Sequence, residues 1–207
     1  MKKNRLIIIT VFLMLFTIIS YGQPVVNPVK TSFGVKGGVN LSTINNEQAN
    51  IAFSPELNAG FNAGAFLNIH FGFRNQGSAA GTGLFGIQPE LLFSQQGFSV
   101  EGQSVSFNYV SIPILAKLYA TKGLSLEVGP DFNYMISASP NSATLGGAEI
   151  NIEKLKGSKD VGLTFGASYE TKLGLLVDVR YNYGFSGLAS NLAWKNQVIA
   201  VSIGWMF

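Results

Sequence analysis

Gln197-Val198-Ile199-Ala200-Val201-Ser202-Ile203-Gly204-Trp205-Met206-Phe207 alternates strictly by side-chain type. In an extended strand, Ile199, Val201, Ile203, Trp205 and Phe207 share one face. Val198, Ala200, Ser202, Gly204 and Met206 share the other, and most of them are small. A bulky face that is wholly apolar must lie against something apolar. Either a protein core or lipid meets it, and the rest of the chain decides between them.

Period-two alternation recurs over 33–41, 61–71, 85–94, 104–119, 124–134, 161–170 and 173–183, so the sequence predicts eight strands with the terminal one. The segment 173–183 is the clearest: Leu173, Leu175, Val177, Val179, Tyr181 and Tyr183 alternate with Gly174, Leu176, Asp178, Arg180 and Asn182. Segment 104–119 changes phase near Tyr109-Val110, for which a β-bulge is the simplest cause, with Pro113 close by. Nearly every strand has one apolar face, while the opposite face carries Lys, Glu, Asp, Arg, Asn and Gly.

A soluble sandwich or lipocalin-type barrel also alternates, with its apolar face inward and many charges outside. Here charged residues make up only 12 % of the chain, and much of that charge falls on the polar side of the alternation. A barrel facing lipid reverses the sense, with apolar residues outward and polar residues inward. Strands of roughly nine to eleven tilted residues match the bilayer, and closure leaves no backbone edge in hydrocarbon. Tyr169, Tyr181, Tyr183, Phe185, Trp205 and Phe207 lie near strand ends, where amphipathic rings favour the headgroup level. The expected fold is an all-β, eight-stranded, antiparallel up-and-down transmembrane barrel over 31–207, preceded by a short segment at 23–30.

The N-terminus supports export. Met1-Lys2-Lys3-Asn4-Arg5 precedes an apolar run of about fourteen residues, below the roughly eighteen needed for a spanning helix, and Ser20 and Gly22 suit cleavage. Residues 1–22 are therefore expected to be a signal peptide. Without Lys2, Lys3 and Arg5 the basic and acidic residues balance, so the net charge of +3 is no argument for nucleic acid. With no cysteine, the chain has no disulfide, thiol nucleophile or Cys-based metal site.

Tight connections at 120–123 and 170–172 are expected on the periplasmic side. Longer ones at 42–59, 137–160 and 184–196, rich in Asn, Ser and Gly, are expected outside. The connection 72–83 is longer than a periplasmic turn requires.

Four segments carry a resemblance to the PorT-like small outer-membrane β-barrels. Phe33-Gly34-Val35-Lys36-Gly37-Gly38-Val39-Asn40-Leu41-Ser42 resembles their opening strand, and Gln88-Pro89-Glu90-Leu91-Leu92-Phe93-Ser94-Gln95-Gln96-Gly97 their third. Tyr109-Val110-Ser111-Ile112-Pro113-Ile114-Leu115-Ala116-Lys117 resembles their Tyr-x-x-Ile-Pro-Leu-Leu segment. Gly129-Pro130 and Arg180-Tyr181 also fit. The resemblance implies a barrel in the outer membrane of a Gram-negative cell, with one member class tied to protein secretion. It also implies that Trp205 and Phe207 form a signal read by the barrel-assembly machinery, a transient partner alongside outer-membrane lipid.

The inward positions collect Lys36, Glu90, Lys117, Glu127, Asp131, Glu170, Asp178 and Arg180. An eight-stranded barrel has room inside only for side chains, and charges buried there must pair. A salt-bridged plug with Arg180 as hub is the expectation; a gated ion path through the same groups is the alternative. Enzyme readings are weaker. His70, inward near a strand end, is more readily a hydrogen-bonded interior histidine than a base. Glu127 and Asp131, four apart on one strand face, stand roughly 13 Å apart. No nucleophile motif, metal-ligand spacing or phosphate-cradling loop is present, so no catalytic, cofactor or metal residue is assigned. The expected role is structural or interactive through 42–59 and 137–160, the alternative is transport or secretion accessory, and an outer-membrane enzyme is the remote third.

Overall fold

The computed structural model describes residues 27–45, 55–72, 85–100, 102–121, 123–145, 148–185 and 195–207. The expected signal peptide at 1–22 and nearly all of the 72–83 connection lie outside these residues.

Eight long strands close into an antiparallel barrel. They are β1 (Asn27–Asn45), β2 (Asn58–Gly72), β3 (Phe85–Val100), β4 (Gln103–Tyr119) and β5 (Leu124–Ser139), then β8 (Lys159–Glu170), β9 (Leu175–Gly184) and β10 (Lys195–Met206). Between β5 and β8 a small hairpin, β6 (Ser142–Leu145) and β7 (Ala148–Asn151), forms a separate two-stranded sheet followed by a 3-10 turn. Each long strand pairs with its neighbour in sequence, and β1 pairs with β10 from Gly34 opposite Met206 to Asn45 opposite Lys195. At that seam the Phe207 amide donates to the Phe33 carbonyl at 2.7 Å, and the two rings stack with centroids 6.3 Å apart. The terminal strand thus completes the wall.

The sense of the alternation is inverted relative to a soluble barrel. Ile199, Val201, Ile203 and Trp205 on β10 are exposed, as are Val177 and Val179 on β9 and Leu124, Leu126, Val128, Phe132 and Tyr134 on β5. Ser125, Glu127, Asp131, Asn133, Asp178, Ala200 and Ser202, which alternate with them, point inward and are buried. An apolar belt about 9–11 residues long on strands tilted by about 40° stands roughly 25 Å tall, the height of a hydrocarbon layer. Such a belt in water would lose about 25 cal/mol for every Å² left wet.

Strand β4 corrects one expectation. Val105, Phe107, Tyr109, Ser111, Leu115, Lys117 and Tyr119 are all buried, so the odd-numbered residues point inward along the whole strand. The register does shift between Asn108 and Tyr109, but the extra residue is Ile136 on β5, which falls between the partners Ser137 and Met135. What changes at Tyr109 is the surroundings. Beyond the belt, water meets the outside of the strand, so Ser106 and Asn108 face outward and Phe107 turns in.

Strands β3 and β4 therefore run past the belt as a long hairpin. Its inward residues Phe98, Val100, Val105, Phe107 and Tyr109 pack with Ile44, Met135, Ala143, Ile152 and Leu155 into an apolar core over one mouth of the barrel. Two stretches expected to be loops are partly built into this end. Pairing of β1 with β2 reaches Ser42 opposite Asn58, and 137–160 contains the end of β5, the β6–β7 hairpin and the 3-10 turn that supplies Leu155 to the core.

The opposite mouth has tight turns. Ala120 and Thr121 amides both donate to the Leu124 carbonyl. The next turn spans Thr171 to Gly174, where Gly174 takes φ +95°, a left-handed conformation that glycine adopts without strain. Leu173, expected as the first residue of its strand, sits instead in this turn and is 82 % exposed.

Candidate functional site

The lumen holds the chemistry-bearing side chains, stacked in storeys from the turn end upward. Arg180 on β9 is the hub. Its Nη1 and Nη2 donate to Glu90 Oε2 and Oε1 at 2.7 and 2.8 Å, a two-pronged grip across the barrel from β9 to β3. Its Nε donates to Glu127 on β5 and lies 3.4 Å from Asp178 Oδ1. Lys36 on β1 bridges Glu90 at 3.0 Å and Asp178 at 3.2 Å.

Lys117 on β4 continues the chain toward the turn end, 3.8 Å from Glu127 and 2.7 Å from Glu170 Oε1. Glu170 also accepts from Tyr119 Oη at 3.0 Å and Asn68 Nδ2 at 2.8 Å. His70 Nε2 lies 2.5 Å from Tyr119 Oη and 3.5 Å from Glu170 Oε2. Acid and base thus alternate from Asp178 to His70, linking β1, β2, β3, β4, β5, β8 and β9 across the lumen. Removing one partner from such a set strands a charge in low dielectric, at about 3–5 kcal/mol.

Glycines make room for this. A Cβ on Gly166, which pairs with Arg180, would come within 3.0 Å of the Arg180 Cγ and 2.3 Å of the Val179 carbonyl. The inward glycine lets the arginine stem lie along the wall and reach the axis.

Above the charges lies a storey of amides and hydroxyls. Asn62 donates to Asn40 Oδ1 at 2.8 Å, Asn40 to Ser94 at 3.0 Å, and Ser202 to Asn62 Oδ1 at 3.1 Å. Asn196 Nδ2 donates to the Tyr109 hydroxyl at 3.1 Å, joining the polar storeys to the apolar core above.

Seven of the eight inward charges read from the sequence, all but Asp131, join one network. Asp131 is buried with Oδ1 lacking a hydrogen-bond partner, and makes no ion pair among the described residues. Sequence reasoning did not anticipate Gln88, which bridges Lys117 and Glu90 at 3.0 and 2.6 Å. Nor did it anticipate the roles of Asn68 and Tyr119, or the inward Asp160. Asp160 stood in an expected loop, yet it extends the inward alternation of Gly162 and Thr164, which was the available signal. Trp205 and Phe207, read as an assembly signal, lie on the outer surface, 46 % and 74 % exposed.

Residues 23–190 match the family model described as outer membrane protein beta-barrel domain. Among solved structures the chain is similar to Neisserial surface protein A, at 14 % identity, covering 86 % of this chain and 99 % of that one with a TM-score of 0.50. It is also similar to Ail, the attachment invasion locus protein of Yersinia pestis, at 16 % identity over 86 % of this chain and 100 % of that one, with a TM-score of 0.48. No curated protein matches it. At such identities the surface-protein likeness bears on the fold alone.

Proposed function

The chain belongs to the outer membrane protein beta-barrel domain family, small barrels of the Gram-negative outer membrane, and from that premise we propose that it is a structural and interaction barrel closed to solutes. The filling of the lumen carries this reading. Paired charges occupy its lower half, an amide storey lies above them, and the apolar core of the β3–β4 hairpin covers the far mouth. The tight turns then face the periplasm, and the mouth with the apolar core faces outward, following the usual asymmetry of such barrels. Residues 42–59 and 137–160 offer a partner its docking surface. Lipid contacts the belt, and the barrel-assembly machinery reads Trp205 and Phe207 before the seam with β1 forms. The chain carries no enzymatic role in this reading, because the His70, Tyr119, Glu170 and Lys117 cluster engages its polar atoms with one another.

Planar-bilayer recording of the purified barrel tests the closure. Silence is expected, and steady single-channel steps would overturn it. A second reading, a PorT-like secretion accessory, is favoured by the four segment resemblances. Replacing 42–59 and 137–160 by short turns separates the two: lost function points to the outer surface, and retained function together with defective secretion in a deletion strain points to the wall or the periplasmic turns.

A further inference from the structure

Charge on the outer wall is rare and one-sided. Lys159 on β8 is in phase with the exposed Val161 and Phe165, and Lys195 on β10 with the exposed Ile199 and Val201, so both lysines face outward. Among the described residues neither takes part in an ion pair. Lys195 Nζ instead lies 5.8 Å from the centre of the Tyr183 ring, which packs edge-on against Phe185.

Both lysines stand where the apolar belt ends. Val110, the last belt residue of β4, lies opposite Tyr134 on β5, and Tyr134 lies opposite Lys159. On β10 the outward series passes from Ile199 through Gln197 to Lys195. Each lysine thus adjoins a tyrosine at the depth of the lipid headgroups, and the face of the Tyr183 ring holds the Lys195 ammonium there. At the same end the remaining strands turn out Thr43, Ala59, Gln95, Ser106 and Asn108, all neutral. Across the barrel the exposed Glu56 pairs with Ser99 of β3. Glu153, exposed on the 3-10 turn, is offset by Lys156 at the end of that turn, which leaves Lys159 and Lys195 uncompensated among the described side chains. A general attraction to anionic membranes calls for lysines around the whole rim, whereas these two mark the one sector from β8 to β10.

We propose that this sector docks a lipid of the outer leaflet whose headgroup carries two phosphates, with Lys159 and Lys195 meeting the phosphates and the belt below receiving the acyl chains. The position selects an amphiphile. Phe132, Val161 and Ile199, directly below the lysines, are exposed and apolar, and a soluble anion would leave them unused. β8 and β10 flank β9, so the two lysines start roughly 10 Å apart, a spacing that suits two phosphates on one headgroup. The choice of leaflet rests on the orientation proposed above; the lysine pair at the belt edge does not.

The test places the full barrel in phosphatidylcholine nanodiscs doped with a few mole per cent of diphosphoryl or monophosphoryl lipid A. After transfer to detergent, retained lipid is counted by native mass spectrometry. The wild type should keep one diphosphoryl lipid A and lose the monophosphoryl form. Lys159→Gln and Lys195→Gln should each weaken retention about fivefold, the effect of one lysine at an anionic surface, and the double variant about 25-fold. Lys172→Gln, exposed in the turn at the opposite mouth, should match the wild type. Equal retention of the two lipid A forms, or wild-type retention in the double variant, would overturn the site. A loss in Lys172→Gln as large as that in Lys159→Gln would also overturn it, because charge anywhere on the barrel would then suffice. The leaflet has its own readout: a membrane-impermeant maleimide should label Lys156→Cys on intact cells. Labelling only after the outer membrane is opened would overturn the outer-leaflet assignment and the orientation together, whatever the lipid retention.

Discussion

Replacing Arg180 by methionine removes the cation that grips Glu90 with two bonds and also meets Glu127 and Asp178, while keeping a stem long enough to fill the space over Gly166. Lys36 would remain for Glu90 and Asp178, and Lys117, at 3.8 Å, for Glu127. The perturbation is therefore one lost cation among partly compensated carboxylates, and it falls within the range for breaking a buried pair, about 4 kcal/mol. With a urea slope of about 2 kcal/mol per molar, the unfolding midpoint drops by about 2 M. The assay is equilibrium urea unfolding of refolded barrels in detergent, followed by tryptophan fluorescence and by the mobility difference between folded and unfolded bands. Arg180→Lys keeps the charge but loses the planar fork, so its drop should be smaller. Glu90→Gln on the Arg180→Met background should restore part of the loss, because the two residues share partners and their effects cannot add. A midpoint for Arg180→Met within about 0.3 M of wild type would mean the lumen is hydrated well enough to solvate its charges. The plug would then be refuted.

Other consequences follow from the same geometry. Val201→Arg, at the centre of the belt, should cost about 2–4 kcal/mol in vesicles, whereas Ser106→Arg, outside the belt on β4, should cost little; equal costs would misplace the membrane boundary. Phe107→Ala leaves a cavity in the apolar core, worth about 3–5 kcal/mol locally, and should expose 137–160 to limited proteolysis while the belt stays folded. Phe207→Asp removes the ring that stacks on Phe33 and should lower assembled barrel in cells more than it lowers the urea midpoint of barrels already folded; an unchanged yield would refute its role as a signal.

Most of the wall could be read from the sequence because lipid imposes one rule on every outward position. Ile199 to Trp205, Leu124 to Tyr134 and Val177 to Val179 obey it without exception, and the inward charges then follow by parity. The reading failed where the solvent changes. At Tyr109 the apolar residues switch from odd to even positions although β4 does not turn over, because below that point lipid selects the outer residue and above it water does. A pattern of hydrophobicity records which side is apolar, not which side is inside. The same limit hid the β6–β7 hairpin and Asp160: short polar stretches look like loops until a core gives them something to pack on. The partners within the network could not be read at all, since which carboxylate Arg180 grips depends on the stagger of β9 against β3 across the lumen.

The outer membrane boundary falls where the solvent changes along β4, and one measurement locates it. The chain has no cysteine, so single cysteines introduced from Gln103 to Leu118 can each carry a unique fluorophore. In vesicles, labels at Val110, Ile112, Ile114, Ala116 and Leu118 should be quenched by lipid-borne nitroxide. Labels at Ser106 and Asn108 should be quenched by a water-soluble quencher, and Val105 and Phe107 should be protected from both. Lipid quenching at Phe107, or water quenching throughout 110–118, would contradict an apolar belt that ends at Val110 with a water-facing hairpin above it.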